Sequence, residues 1–561
     1  MSKRLLILAV LMSAGSISYA QHLPKVSVDL EGRDPESSVR VIVQYKRAVQ
    51  QRHIDAVVRQ GGRYQGTLNV VNGAVYSIPA KALSGLADDP EIAYISQNRT
   101  VNAADYGAGT LTPDYKLQAV YANYAQMTGL NGAGIGVAVI DSGITDSPDL
   151  HGQNGYSQFG YGQYGQNGSR VVYAQSFNSG GQTTDAYGHG THVAGIVGGN
   201  GSQSSGVYAG VATNVNIINL QVLDSNGSST DSDVIAAIQQ AIQLKAQYNI
   251  RVINLSLGRP VFESYTIDPL CQAVEAAWKA GILVVVAAGN EGRNNTAYTN
   301  GYGTITAPGN DPYVITVGAM KTEGTATPTD DRIASYSSKG PTLFDHVVKP
   351  DLVAPGNRIV SILGNGTLPN LYPANVVDNN YFMLSGTSMA APMVSGTAAL
   401  LLQQNPNLTP DQVKARLMKT ASKTFPVSSV AADPTTGISY TSYYDLFTIG
   451  AGYLDVAAAI FDNSVATGTA LSPVATLNSN GTISISNIAG LNVIWGTNVI
   501  WGTNVIWGTS VISGTNVIWG TNVVWGTSTM AGFNVIWGTN VIWGTTTPFG
   551  ELSTPLIYGE Q

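Results

Sequence analysis

Hydrophobic positions change their spacing twice along this chain, and each change marks a different kind of structure. Val39, Val41, Val43 and Tyr45 alternate with other residues, the two-residue period of a half-buried strand, and a helical stretch follows over 51–60. Asn72-Gly73, between 68–71 and 74–78, predicts a tight hairpin, because both residues tolerate positive φ. A short helix over 80–87 and a strand over 92–96 complete the order strand, helix, strand, strand, helix, strand, that of a small split βαβ module.

Beyond residue 109 alternation gives way to apolar runs at 135–140, 216–222, 251–255, 282–288 and 314–317. Runs with so little alternation predict strands buried on both faces, hence a parallel sheet, with helices over 233–246 and 269–280 between them. Thr409-Pro410-Asp411-Gln412 sets a capping threonine, a first-turn proline and a capping-box glutamine ahead of a helix over 413–420. That α/β pattern ends near residue 460. The third regime is a repeat: from 492 to 545 the chain runs through nine hexads of Asn-Val-Ile-Trp-Gly-Thr and its variants, without Lys, Arg, Asp or Glu. An even period holds each position on one strand face, Val with Trp and Ile with Asn and Gly. A β-solenoid, a sticky β-rich appendage and a removable tail all fit that pattern, and a contact with the cell surface or other proteins is the role it suggests.

The amino terminus is of another kind. Lys3 and Arg4, an apolar run over 5–12, then Ser18 and Ala20 ahead of Gln21 read as a secretory signal peptide. The run is far short of the roughly 20 residues that a spanning helix needs. The expected organisation is a signal peptide at 1–20, the small α+β module at 21–105, the α/β domain at 106–460 and a C-terminal region at 461–561 holding the hexads. A secreted destination, periplasm or medium, follows from the leader. Composition narrows the partners: a net charge of -7 with only 11% charged residues gives no basic footprint for nucleic acid or an anionic membrane. One cysteine, Cys271, excludes an intramolecular disulfide, and its apolar setting in the 269–280 helix reads as core packing rather than a nucleophile.

Three glycine-flanked segments of the α/β domain carry chemistry. They are Val137-Ala138-Val139-Ile140-Asp141-Ser142-Gly143, Gly188-His189-Gly190-Thr191-His192-Val193-Ala194-Gly195, and Ser385-Gly386-Thr387-Ser388-Met389-Ala390-Ala391-Pro392. A serine hydroxyl is a weak nucleophile until a histidine takes its proton, and that imidazole needs a buried carboxylate to fix its tautomer. Asp141 ends a buried strand, and Ser388 opens an apolar helix whose unpaired N–H groups and dipole favour developing negative charge. Gly188, Gly190 and Gly386 let backbone approach the reacting atoms closely. Asp185 with His189 and His192 lacks the Glu of a His-Glu-x-x-His helix, so a zinc site is not expected. His192 reads as structural, and His151 and His346 as surface residues.

The order Asp, His, Ser differs from the chymotrypsin-like and α/β-hydrolase orders, and the three segments resemble the signatures of subtilisin-like serine proteases over roughly residues 107–460. The resemblance implies a mostly parallel α/β sheet flanked by helices, a ferredoxin-like inhibitor propeptide ahead of it, cut near residues 97–108, and the β-rich hexad tail behind it. It implies Asp141, His189 and Ser388 as the charge-relay triad and, through Ala287-Ala288-Gly289-Asn290, Asn290 as an oxyanion donor beside the Ser388 N–H. Ser256-Leu257-Gly258 and Gly227-Ser228-Ser229 then become the two walls between which substrate lies as an added strand. Arg259 and Glu291 stand where they would bias the primary pocket. No cofactor is required by this chemistry. The loop over 198–206 departs in length and residues from the family's calcium loop, so structural calcium is compatible with it but not predicted by it. The rival reading is a surface or interaction protein whose tail is the function and whose protease domain only processes itself; it would not digest added protein.

Overall fold

The computed structural model describes residues 25–103, 106–107, 114–152, 168–296, 298–433, 436–477 and 483–486. The leader at 1–20 and the hexads at 492–545 lie outside them.

The first unit is the split βαβ module: β1 (Ser38–Tyr45), α1 (Gln51–Arg59), β2 (Arg63–Leu68), β3 (Gly73–Pro79), α2 (Ala82–Ala87) and β4 (Ile92–Gln97), in one antiparallel sheet of order β2-β3-β1-β4. The hairpin differs from its prediction. Residues 69–71 form a 3-10 turn rather than strand, Asn72 takes the left-handed conformation at its end (φ 49°), and Gly73 already belongs to β3. Tertiary contact explains the change: Val71 is buried in the core it shares with Ile42, Leu68 and Val75, and the Val70 N–H donates to Gln239 of the larger unit.

After β4 come two short strands, β5 (Thr100–Ala103) and β6 (Tyr106–Gly107), and then two short helices, α3 (Lys116–Ala119) and α4 (Asn123–Met127). The larger unit follows with β7 (Gly136–Asp141), β8 (Val171–Ser176), α5 (His189–Gly198), β9 (Asn216–Gln221), β10 (Ser228–Thr230), α6 (Asp231–Tyr248), β11 (Ile250–Leu255) and β12 (Leu257–Gly258). It continues through α7 (Pro269–Lys279), β13 (Leu283–Ala287), β14 (Ile315–Lys321), β15 (Arg332–Ile333), β16 (Leu352–Pro355), β17 (Ile359–Ile362), α8 (Thr367–Leu371), β18 (Val376–Val377), β19 (Tyr381–Ser385), α9 (Thr387–Gln404) and α10 (Pro410–Thr420).

The main sheet has the order β15-β14-β13-β11-β7-β9-β8, with β16 beside β14, and every pairing except β14 with β15 is parallel. All residues of β7, β9 and β13 are buried, as continuous apolar runs require. Helix α9 is buried on all sides from Thr387 to Leu402 and packs against α5, β11, β13 and β14, so it forms the axis of the core. The α10 capping box closes as expected, Gln412 N–H to Thr409 Oγ1 and the Gln412 side chain back to Thr409 N–H. Packing runs past residue 460: Ser472 bridges the Asp351 carboxylate and the Lys414 ammonium, and Val348 N–H donates to Pro473 O.

Candidate active site

In an open parallel sheet, ligands bind in the crevice beyond the carboxyl ends of the strands. Asp141 is the last residue of β7 and reaches that crevice with 1% of its surface exposed. His189 is the first residue of α5, which follows the left-handed Gly188 (φ 104°). Its Nδ1 donates to Asp141 Oδ1 at 2.6 Å, which makes Nε2 the acceptor nitrogen of the ring. A side chain at Gly190 would put its Cβ 2.3 Å from Gly143 O, so only glycine lets the helix start this close to the strand end.

A second carboxylate, which sequence reasoning weighed only as a zinc ligand, organises this junction. Asp185 accepts from the N–H groups of Tyr187, Gly188 and Thr191 and from the hydroxyls of Thr191 and Ser142. Ser142 Oγ in turn accepts from Gly190 N–H. Asp185 is fully buried, and that burial pushes its carboxyl above the usual range against these donors. By accepting from Thr191 N–H, the third residue of α5, it meets one of the open first-turn donors of a helix whose N-cap is Gly188.

Ser388 is the second residue of α9. Its Oγ donates to Ser256 O at 3.1 Å, and Ser256 Oγ donates to Ser388 O at 2.8 Å. Asn290, beyond β13, accepts with Oδ1 from both the N–H and the hydroxyl of Thr387, and Thr387 Oγ1 accepts from Gly289 N–H. This fixes the amide with its Nδ2 turned away from Thr387, the orientation an anion donor needs. His192 is structural, as expected: its Nε2–H is shared between Ile359 O and Phe382 O, tying α5 to the strand that leads into Ser388. His151 lies near the surface, hydrogen-bonded to the exposed Asp146 at 2.8 Å. His346 departs from its surface assignment, being half-buried with its ring pushed down to about 4 by burial, and its carbonyl accepts from Ala475 N–H.

The cleft walls hold a strand of the chain itself. β5 lies antiparallel to β10 on one side and to β12 on the other, with Asn102 opposite both Ser228 and Gly258, Val101 opposite Ser229, and Ala103 opposite Leu257. Ala103 N–H also donates to Gly227 O. Of the expected wall residues, Ser256 stands apart: the β12 ladder covers Leu257 and Gly258, while Ser256 supports Ser388. β6 pairs with β19, Tyr106 opposite Ser385, three residues before Ser388. Arg259 corrects the pocket expectation. Its fully buried guanidinium binds Asp231 on the β10 side and Asp268 at the start of α7, so its charge joins the two walls instead of facing substrate.

Among the described residues no three His, Cys, Asp or Glu side chains gather as a metal-ligand set, and no helix is long and apolar enough to cross a membrane. Cys271 is buried beside Asn310, and burial raises its thiol well above the ordinary range.

The profile of the subtilase family matches residues 132–447. Serine protease AprX of Bacillus subtilis (strain 168) is 38% identical over 363 residues, 63% of this chain and 75% of AprX. Subtilisin E of the same organism is 34% identical over 368 residues, 65% of this chain and 80% of its own length. Among solved structures, fervidolysin from Fervidobacterium pennivorans, a keratinolytic enzyme related to subtilisin, superimposes with a TM-score of 0.56 at 23% identity, over 79% of this chain and 64% of fervidolysin, and shares the fold. A buried Asp–His pair at the strand ends, a serine at the head of the central helix and relatives of this coverage lead to one conclusion: the chain belongs to the subtilase family of serine proteases.

Proposed function

We propose that this protease is a secreted endopeptidase that cuts proteins through an acyl-enzyme on Ser388 and matures by removing its own amino-terminal module. The Ser388 hydroxyl attacks the substrate carbonyl while His189 Nε2 takes its proton, and Asp141 holds the imidazole in that tautomer and balances its charge. The Asn290 Nδ2 and the Ser388 N–H receive the oxyanion. The imidazolium then protonates the leaving amine, and water, deprotonated by the same ring, releases the acid. No metal or other cofactor enters these steps.

One observation supports the reading above the rest. β5 lies between the two walls as an inserted strand, and β6 pairs beside Ser388, so the chain's own backbone crosses the cleft as a protein substrate would. The module at 25–103 is then the inhibitor propeptide, and the bond first cut falls between Ala103 and Tyr106. Secretion through the leader at 1–20 and a surface contact by the hexads complete the proposal.

The test is fluorophosphonate labelling of the secreted protein with intact mass, wild type against Ser388→Ala. Wild type should label and lose its first hundred or so residues, while the variant stays unlabelled at precursor mass. A processed wild type that never labels would end the reading and leave the hexad tail as the working part.

A further inference from the structure

The strand in the cleft does not end at Thr100. Arg99 O accepts from Asp231 N–H at 2.8 Å, continuing the β10 ladder by one residue, and the Asn98 amide exchanges two hydrogen bonds with Ser232 at 2.9 Å. The ladder therefore fixes where the Arg99 side chain leaves the backbone. Its guanidinium meets Glu263 in a two-pronged pair, Nη1 to Oε1 at 2.7 Å and Nη2 to Oε2 at 3.0 Å, and its face lies 4.9 Å from the Phe262 ring centroid. Arg99 and Glu263 are 4% and 3% exposed.

Every partner described for the Glu263 carboxylate belongs to the segment that the proposed maturation removes: Arg99 and the Tyr94 hydroxyl, which donates to Oε2 at 3.0 Å. On the core side Asp231 and Arg259 lie within electrostatic reach of Arg99, and the Arg259 guanidinium is already held by Asp231 and Asp268. The site left on the core thus carries three carboxylates and one guanidinium, with an aromatic face beside them. Such a site binds a planar cation and disfavours an anion.

We propose that Glu263, with Phe262, is a specificity subsite of the mature protease for a basic residue, arginine above lysine, four positions upstream of the one that Ala103 fills. The proposal rests on the endopeptidase reading. It differs from a simple latch for the module, because Arg99 is positioned by the cleft ladder as well as by its pairing with Asp29 of the module.

The test uses the processed, secreted enzyme and two internally quenched peptides, one with the chain's own residues 97–108 and one with glutamine in place of Arg99. Wild type should cleave the arginine peptide with kcat/KM at least about tenfold higher, and the ratio should collapse towards one in Glu263→Gln. A ratio near one in wild type overturns the proposal and leaves Glu263 as a latch only; this arm needs no variant. Failure of the endopeptidase reading looks different, with neither peptide cut and Ser388 unlabelled.

Discussion

Asn290 shows how much a single amide depends on its neighbour. Thr387 donates twice to Oδ1, so the fold sets the orientation of Nδ2, and in the proposed role as oxyanion donor the group would have no reorganisation to undergo as charge develops. Asn290→Ala should leave KM nearly unchanged and lower kcat by about 10² to 10³, the loss known for the same change in subtilisin itself. Steady-state kinetics on a peptide substrate checks this; a loss carried mainly in KM would mean that Asn290 binds ground-state substrate. Asp141, His189, Ser388 and Asn290 were all legible as residues, since each lies in a short glycine-flanked motif. Glu263 was not. Its partner Arg99 lies 164 residues away, and each alone reads as an ordinary surface charge.

At the scale of elements, His192 couples α5 to β17 and β19 through one shared N–H. Burial, with the neighbouring His189, holds its ring down to about 3 from an ordinary 6.5. Between those values the unfolded chain binds the proton that the folded protein refuses. Stability should therefore be full above pH 6.5 and fall as the solution is acidified towards about 3. Denaturant midpoints of the uncut Ser388→Ala protein at pH 7 and 4, with and without His192→Gln, measure that share; a pH slope unchanged by the second substitution would remove His192 from the account. The apolar runs predicted β7, β9, β11, β13 and β14 because strands buried on both faces leave little alternation. They missed β8, whose residues are mostly half-buried and follow neither pattern, and β16 to β19, of which β16 to β18 have four residues or fewer. The hairpin at 72–73 was misplaced for the opposite reason: its local signal was strong, but Val71 serves the core shared with the larger unit.

The chain has one cysteine and so no internal disulfide; among the described residues the apolar side chains form one large core through the α/β unit and a separate smaller one inside the amino-terminal module, alongside buried polar networks. The loop after α5 illustrates how such a network closes. Asp149 accepts with Oδ1 from Ser202 Oγ and Gln203 N–H and with Oδ2 from the Tyr381 hydroxyl, so both oxygens are met by neutral donors of the protein. The thermal midpoint of the Ser388→Ala protein should shift by less than about 2 °C on adding EDTA. A larger fall would establish a structural cation, which this family-divergent loop leaves open on sequence grounds.

The Arg259 tie between Asp231 and Asp268 has a consequence for which proteins are attacked. Arg259 ties the β12 side to Asp231 at the end of β10, and if substrate follows the path of β5, as proposed, it must offer both backbone edges at once, as β5 does over Thr100–Ala103. A native sheet or helix has already committed those edges to its own neighbours. On the proposed reading, prey would be selected first by how often a stretch of several residues comes loose from its own fold, and only afterwards by the side chains that the stretch carries.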